Sequence, residues 1–273
     1  MRVNRREPLV HPGRFFLNAM FVSKLRSMKP SHRTQQAPDE VWERFAEADP
    51  YTYILTDLKS PDPKKFWESG ERTVEEELLP LIRERAIRRR IGLELGCGVG
   101  RLLFPMARNF EEMVGVDIAE GMVRRAVSFA RDNGIRNVEL AAISGPEDLL
   151  HKAGEYAGKV DFLYSLLVFQ HIPDFAVIEG YLHVVNELLE ENGIAYLQFD
   201  TREQDLFYQW KTGLPDFVLP RFWRRGIRRI RRSSAEIEVC LRRAGLEIVG
   251  ELDPRSAYHR YILRSARTTS VRP

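Results

Sequence analysis

From residue 91 onward, short strand-like apolar runs alternate with helix-like runs, and the first of them breaks on three closely spaced glycines. Ile91–Leu95 is the apolar run, Gly96-Cys97-Gly98-Val99-Gly100 is the break, and 100–109 reads as helix. Further strands are expected at 113–117, 137–143, 160–167, 194–199, 246–252 and 258–264. Helices are expected at 120–133, closed by Gly134, and at 174–191, ended by Gly193. Ser233-x-x-Glu236 is a capping box opening another, with Ile237, Cys240, Leu241 and Ala244 on one face. Alternation of this kind forces a mostly parallel α/β sheet, here of seven strands, with helices on both faces.

Ahead of this lies a helical extension. Asp39 can cap a helix carrying Val41, Trp42, Phe45 and Ala46, which Asp49-Pro50 stops. Pro61 and Pro63 mark a loop, and a second helix is expected from about Thr73, with Val74, Leu78, Leu81 and Ile82 inward. The organisation predicted is a basic tail at 1–38, a helical cap at 39–90, and the α/β domain at 91–273 with an insert at 200–232.

The formal net charge of +3 is unevenly distributed over the 273 residues. Residues 1–38 and 217–235 each carry +7, which leaves −11 elsewhere. The first block surrounds the apolar run Phe15–Val22 but lacks a small-x-small cleavage site, which disfavours a signal peptide. It reads as a lid or tail, a membrane-surface helix or a targeting segment. No apolar run reaches the ~18 residues of a membrane helix. Two cysteines, Cys97 and Cys240, make no disulfide framework or Cys-rich zinc site, and a reducing, cytoplasmic setting fits.

The glycine loop carries the chemistry. Three glycines let the backbone turn tightly and let a ligand lie against the unpaired N–H groups of a helix start. Twenty-one residues after Gly96, Asp117 ends the second strand, where a carboxylate can accept both hydroxyls of a ribose. A dinucleotide fingerprint would need glycine at position 101, which is arginine, so a nicotinamide enzyme is disfavoured.

Glu94-Leu95-Gly96-Cys97-Gly98-Val99-Gly100, together with Asp117, resembles the class I S-adenosylmethionine-dependent methyltransferases, which have a Rossmann-like fold. The resemblance covers about residues 85–265. It extends through Val160–Ser165, Phe169-Gln170-His171-Ile172-Pro173 and the Leu188–Ile194 turn, where Asn192 is a mild departure. It implies S-adenosylmethionine as cofactor. Glu94 and the backbone of Gly96 would approach its methionine end, with Cys97 in the loop and Gly98 and Gly100 allowing close contact. Asp117 would hold the ribose, and Ile118 and Met122 would flank the adenine. Ser144 and Gly145 would lie at the adenine edge, without the acid often found there, and Leu166 would offer its carbonyl.

Methyl transfer needs alignment more than acid–base help, and His171 is the candidate base where an acceptor must lose a proton. Its bland alternative is to satisfy backbone groups before a helix start. Tyr164-Ser165-Leu166-Leu167 is not the (Asp/Asn)-Pro-Pro-(Tyr/Phe) motif of amino-group methylation, neither cysteine suits cytosine C5 chemistry, and no metal is indicated. The expected reaction is methylation of O, N or C on a small molecule. Arginines 221, 224, 225, 228, 229, 231 and 232 suggest an anionic acceptor or a solvated face; RNA or an anionic membrane surface is the alternative partner.

Overall fold

The computed structural model describes residues 38–48, 62–215, 217–219 and 229–267. Residues 1–37 of the basic tail, and Arg221, Arg224, Arg225 and Arg228 of the second basic block, lie outside these residues, while Pro38 already belongs to the first helix.

The strands are β1 (Ile91–Leu95), β2 (Glu112–Asp117), β3 (Val138–Ala142), β4 (Val160–Ser165), β5 (Leu189–Phe199), β6 (Leu246–Leu252) and β7 (His259–Ser265). They form one seven-stranded sheet in the order β3-β2-β1-β4-β5-β7-β6. The first five run parallel, while β7 is antiparallel to both β5 and β6. The order reverses direction between β1 and β4, and open α/β sheets bind ligands at such a switch point, outside the strands' carboxyl ends. The glycine loop leaves β1 at that point.

Helices are α1 (Pro38–Ala48), α2 (Pro63–Thr73), α3 (Leu79–Glu84), α4 (Leu103–Ala107), α5 (Glu120–Asp132), α6 (Pro146–Lys152), α7 (Phe175–Leu188), α8 (Leu206–Gly213) and α9 (Ser234–Arg243). Four differ from the sequence expectation. Helix α1 begins at Pro38, so Asp39 lies in its first turn rather than capping it. Helix α2 starts ten residues before Thr73, because Pro63 occupies the first helical position and Asp62 caps it by accepting from the Lys64 and Lys65 N–H groups. Proline is pre-organised for that position and loses no bond there. Helix α4 is shorter than 100–109, since the glycines hold the chain in turns up to Leu102. Helix α7 stops at Leu188, and Gly193 falls inside β5. The β4–β5 register slips there, from Val160↔Leu189 to Phe162↔Ile194. A Cβ on Gly193 would lie 2.5 Å from the Val160 carbonyl oxygen, so the glycine marks a bulge rather than a helix end.

Helices α2 and α3 are joined through a π-helical turn, Val74–Leu78, in which the Leu79 N–H bonds the Val74 carbonyl five residues back. Pro80 explains the wide turn, because it has no N–H to give the helix and needs room for its ring. Val74, Leu78, Leu81 and Ile82 join Phe104, Met106, Phe162, Tyr164 and Tyr196 in the main core. A smaller cluster holds α1 to the body through Phe45 and Ala46 against Phe66, Val99 and Met122. The capping box at Ser233 and Glu236 is formed as the sequence predicts.

Candidate active site

The loop after β1 turns on left-handed residues, Gly96 at φ 81° and Gly100 at φ 90°. Gly96 also has no room for a side chain, since a Cβ would sit 2.2 Å from Val168 Cγ2. The N–H groups of Gly96 and Cys97 both donate to the Val116 carbonyl, at 2.7 and 3.0 Å, which ties the loop to the end of β2. Asp117 completes the tie. Its carboxylate accepts from the Gly98 N–H at 2.8 Å and from the Ala119 N–H at 2.9 Å. Burial pushes the Asp117 carboxyl up, and these backbone bonds oppose the shift.

Glu94 is 4% exposed on β1. It pairs in register with Tyr164 on β4, whose hydroxyl donates to its Oε2 at 3.2 Å. Burial pushes its carboxyl up to about 8, against the pull of Arg101 and the Tyr164 bond. Arg101 is 7% exposed. Its Nη1 donates to Ser69 Oγ on α2 at 3.3 Å. Helix α2 reaches this loop because Gly70 has no side chain, since a Cβ there would meet the Arg101 carbonyl oxygen at 2.2 Å. Gly70→Ala is therefore expected to push α2 off the loop and cost about 1–3 kcal/mol, the usual range for overpacking. A melting curve matching wild type would contradict it.

The other expected residues divide. Cys97 turns its side chain into the main core, so only its backbone belongs to the loop, and burial pushes its thiol up. Met122 packs into the small cluster beneath α1. Ile118 is half-buried beside Asp117. Ser144 is exposed, and both its N–H and its hydroxyl donate to Asp148 Oδ2, at 2.9 and 3.4 Å. Gly145 precedes α6. Asp148 thus puts a carboxylate beside the third strand's end, four residues beyond the position where the sequence lacks one. Leu166 is half-buried just past β4, and the next residue, Leu167, holds a left-handed φ of 64°. For a non-glycine residue that conformation costs about 1–3 kcal/mol and often accompanies a working site.

His171 ends a 3₁₀ turn, Phe169–His171. Its ring meets Trp42 of α1 edge to face, with centroids 5.4 Å apart. Gln198 Nε2 donates to Gln170 Oε1 at 3.2 Å, which leaves Gln170 Nε2 to face His171 Nε2 at 3.3 Å.

Sequence reasoning missed Glu43 and the fate of the arginines. Both Glu43 carboxylate oxygens accept from the Gly121 N–H in the first turn of α5, at 3.0 and 2.9 Å, and Oε1 also takes Arg124. This is the favoured place for a negative charge on a helix. Arg232 is 7% exposed and donates to the carbonyls of Phe169, Ile172 and Pro173. Arg231 donates to the Glu203 carbonyl and pairs with Asp205, and Arg229 lies over the Tyr258 ring. No sequence pattern marks these three as different from the other arginines of the block.

A family model described as a methyltransferase domain matches residues 66–251. The chain belongs to this family, the class I S-adenosylmethionine-dependent methyltransferases. A ubiquinone biosynthesis O-methyltransferase of Azorhizobium caulinodans is 32% identical over 158 residues, which are 57% of this chain and 58% of that protein. The chain thus spans somewhat over half the length of that relative. A 23S rRNA (uracil(1939)-C(5))-methyltransferase of Hahella chejuensis is 48% identical over 50 residues, 18% of this chain and 11% of that protein. The magnesium protoporphyrin IX methyltransferase of Synechocystis shares the fold at a TM-score of 0.56 and 23% identity, covering 84% of this chain and all of that one.

Proposed function

We propose that this methyltransferase acts on O, N or C of a small-molecule acceptor, with Asp117 holding the cofactor's ribose and Glu94 its ammonium. The observation that carries the acceptor class is the use of Arg229, Arg231 and Arg232. These three hold the chain's own carbonyls, a carboxylate and a ring, so they do not form a polyanion track. The printed names of the Azorhizobium and Synechocystis relatives, a ubiquinone-pathway O-methyltransferase and a porphyrin methyltransferase, support the same class.

The donor set fits an adenosyl amino acid: a carboxylate at the end of β2, another two residues before the glycine loop, and backbone that approaches closely at φ-positive glycines. Gly98, Gly100, Ile118, Ser144, Gly145 and Leu166 line the remaining approaches along the strands' carboxyl ends, while Cys97 contributes backbone and Met122 supports from below. S-adenosylmethionine supplies a methyl on a cationic sulfur, which takes the bonding electrons as the acceptor's lone pair bonds the carbon. The protein's own part is alignment and exclusion of water. Trp42 and His171 wall the acceptor side. When the acceptor is a hydroxyl, His171 takes its proton at Nε2, exchanging Gln170 for the acceptor.

The test uses the full chain and cofactor carrying a labelled methyl, offered to small phenols and carboxylates and, separately, to total RNA. Label in the small molecules is expected. His171→Gln should lower kcat for hydroxyl acceptors 10²–10⁴-fold, the general-base range, while leaving S-adenosylhomocysteine affinity unchanged. Label in RNA alone would overturn the acceptor class, and an unchanged kcat in His171→Gln would remove the base.

A further inference from the structure

Arg101 is a buried cation beside the glycine loop that the roles of Asp117, Glu94 and His171 do not use. It stands where the dinucleotide fingerprint has glycine, yet its side chain is enclosed between the glycine loop and α2. A guanidinium has five N–H donors, and a buried one is costly unless its donors and its charge are met. Among the described residues one of them is met, by Ser69 Oγ at a long 3.3 Å, and the remaining guanidinium nitrogens are not sealed away as buried orphans but stay reachable. The Ser69 hydroxyl itself donates to the Phe66 carbonyl at 2.6 Å, so it is fixed as a neutral acceptor for Arg101.

The remaining surroundings say what the other donors are for. The strongest attraction on Arg101 comes from Glu94, followed by Tyr164 and Glu77. Glu77 is already engaged by the Tyr196 hydroxyl at 2.7 Å and by Arg260 Nε and Nη2 at 2.7 and 2.9 Å. Glu94 and Arg101 do not close into a direct ion pair, although both are buried on the two sides of one short loop. A buried acid and a buried guanidinium held near each other but unjoined match a ligand bearing both an ammonium and a carboxylate, the acid ionising as the ammonium binds. A neutral or purely cationic ligand would leave the guanidinium uncompensated.

We propose that Arg101 is a carboxylate-binding residue, gripping the α-carboxylate of the cofactor's methionine end while Glu94 takes its ammonium. The inference rests on the cofactor reading and deepens it by assigning a second residue to the amino-acid end. Ser69 then serves as a positioning residue that aims the fork, and Gly70 lets α2 bring Ser69 within reach. The shared chemistry is a carboxylate, which an acidic acceptor could also supply, and the experiment separates the two sources.

Calorimetric titration of the full chain compares S-adenosylhomocysteine, its decarboxylated analogue and 5′-methylthioadenosine, which lacks the whole amino-acid end. Wild type is expected to bind the decarboxylated analogue at least tenfold more weakly than S-adenosylhomocysteine; this arm needs no variant. Arg101→Met is expected to lose at least tenfold for S-adenosylhomocysteine and nothing for 5′-methylthioadenosine, whose retained binding also shows that the fold is intact. Equal wild-type affinity for the first two ligands would overturn the assignment; if the KM for acidic acceptors then rises in Arg101→Met, the carboxylate belongs to the acceptor. Equal loss for all three ligands in the variant would make Arg101 merely structural. Wild type that binds none of the three would overturn the cofactor reading itself, a result distinct from the others.

Discussion

Asp117→Ala is expected to weaken S-adenosylhomocysteine binding about 100-fold or more. Two charge-assisted bonds to a ribose are worth roughly 1.5–3 kcal/mol each, and a single one accounts for at least a tenfold loss. A second effect adds to this. The same carboxylate accepts from Gly98 and Ala119, so the substitution also releases the glycine loop from the end of β2. Asp117→Asn keeps one acceptor oxygen for the backbone while removing the charge, and should fall between the two. Titration calorimetry on the three proteins gives the ranking. Affinity unchanged in Asp117→Ala would remove the ribose role.

Glu94→Gln carries the largest expected pH effect. Burial raises the folded-state carboxyl to about 8, well above its value in an unfolded chain. The folded protein therefore keeps a proton that the unfolded chain gives up. This stabilising contribution is complete below about pH 4.5 and is lost as pH rises toward 8. The slope is at most about 1.4 kcal/mol per pH unit. Glutamine keeps an acceptor for Tyr164 and cannot titrate. The variant should match wild type in urea unfolding near pH 4.5 and exceed it by a few kcal/mol near pH 8. The cofactor's ammonium reverses the preference, since it favours the ionised acid. Wild-type affinity for S-adenosylhomocysteine should then rise from pH 6 to 8, while that of Glu94→Gln stays low and flat. Parallel curves for the two proteins would show that Glu94 does not titrate in this range.

The part of the site legible in sequence is the part whose chemistry is local. A strand, three glycines and an acid at the next strand's end must lie close together, because parallel neighbours in one sheet bring Leu95 beside Val116. Arg101 was legible only as a departure from another motif. Its meaning depends on Ser69 and Gly70, some thirty residues away on a helix that the sequence reading began too late. The signal for that helix was present in Asp62-Pro63, an N-cap followed by a proline at the first helical position, but two nearby prolines read more readily as a loop. Gly193 misled for a similar reason. Glycine after an apolar helix usually closes it, whereas here close approach to Val160 requires it inside a bulged strand. The arginine block shows how charge counts mislead, because counting cannot tell a guanidinium that faces water from one that holds three carbonyls, as Arg232 does.

Helix α1 touches both flanks of the site, and this has a kinetic side. Glu43 fastens it to the start of α5, close after Asp117, and Trp42 rests on His171 beyond β4. One short helix thus joins the start of α5 to the turn beyond β4, held by a half-exposed charge and a few apolar contacts. These eleven residues outside the sheet thus span two loop clusters at its ligand-binding end, a position from which a helix that moves can gate ligand exchange.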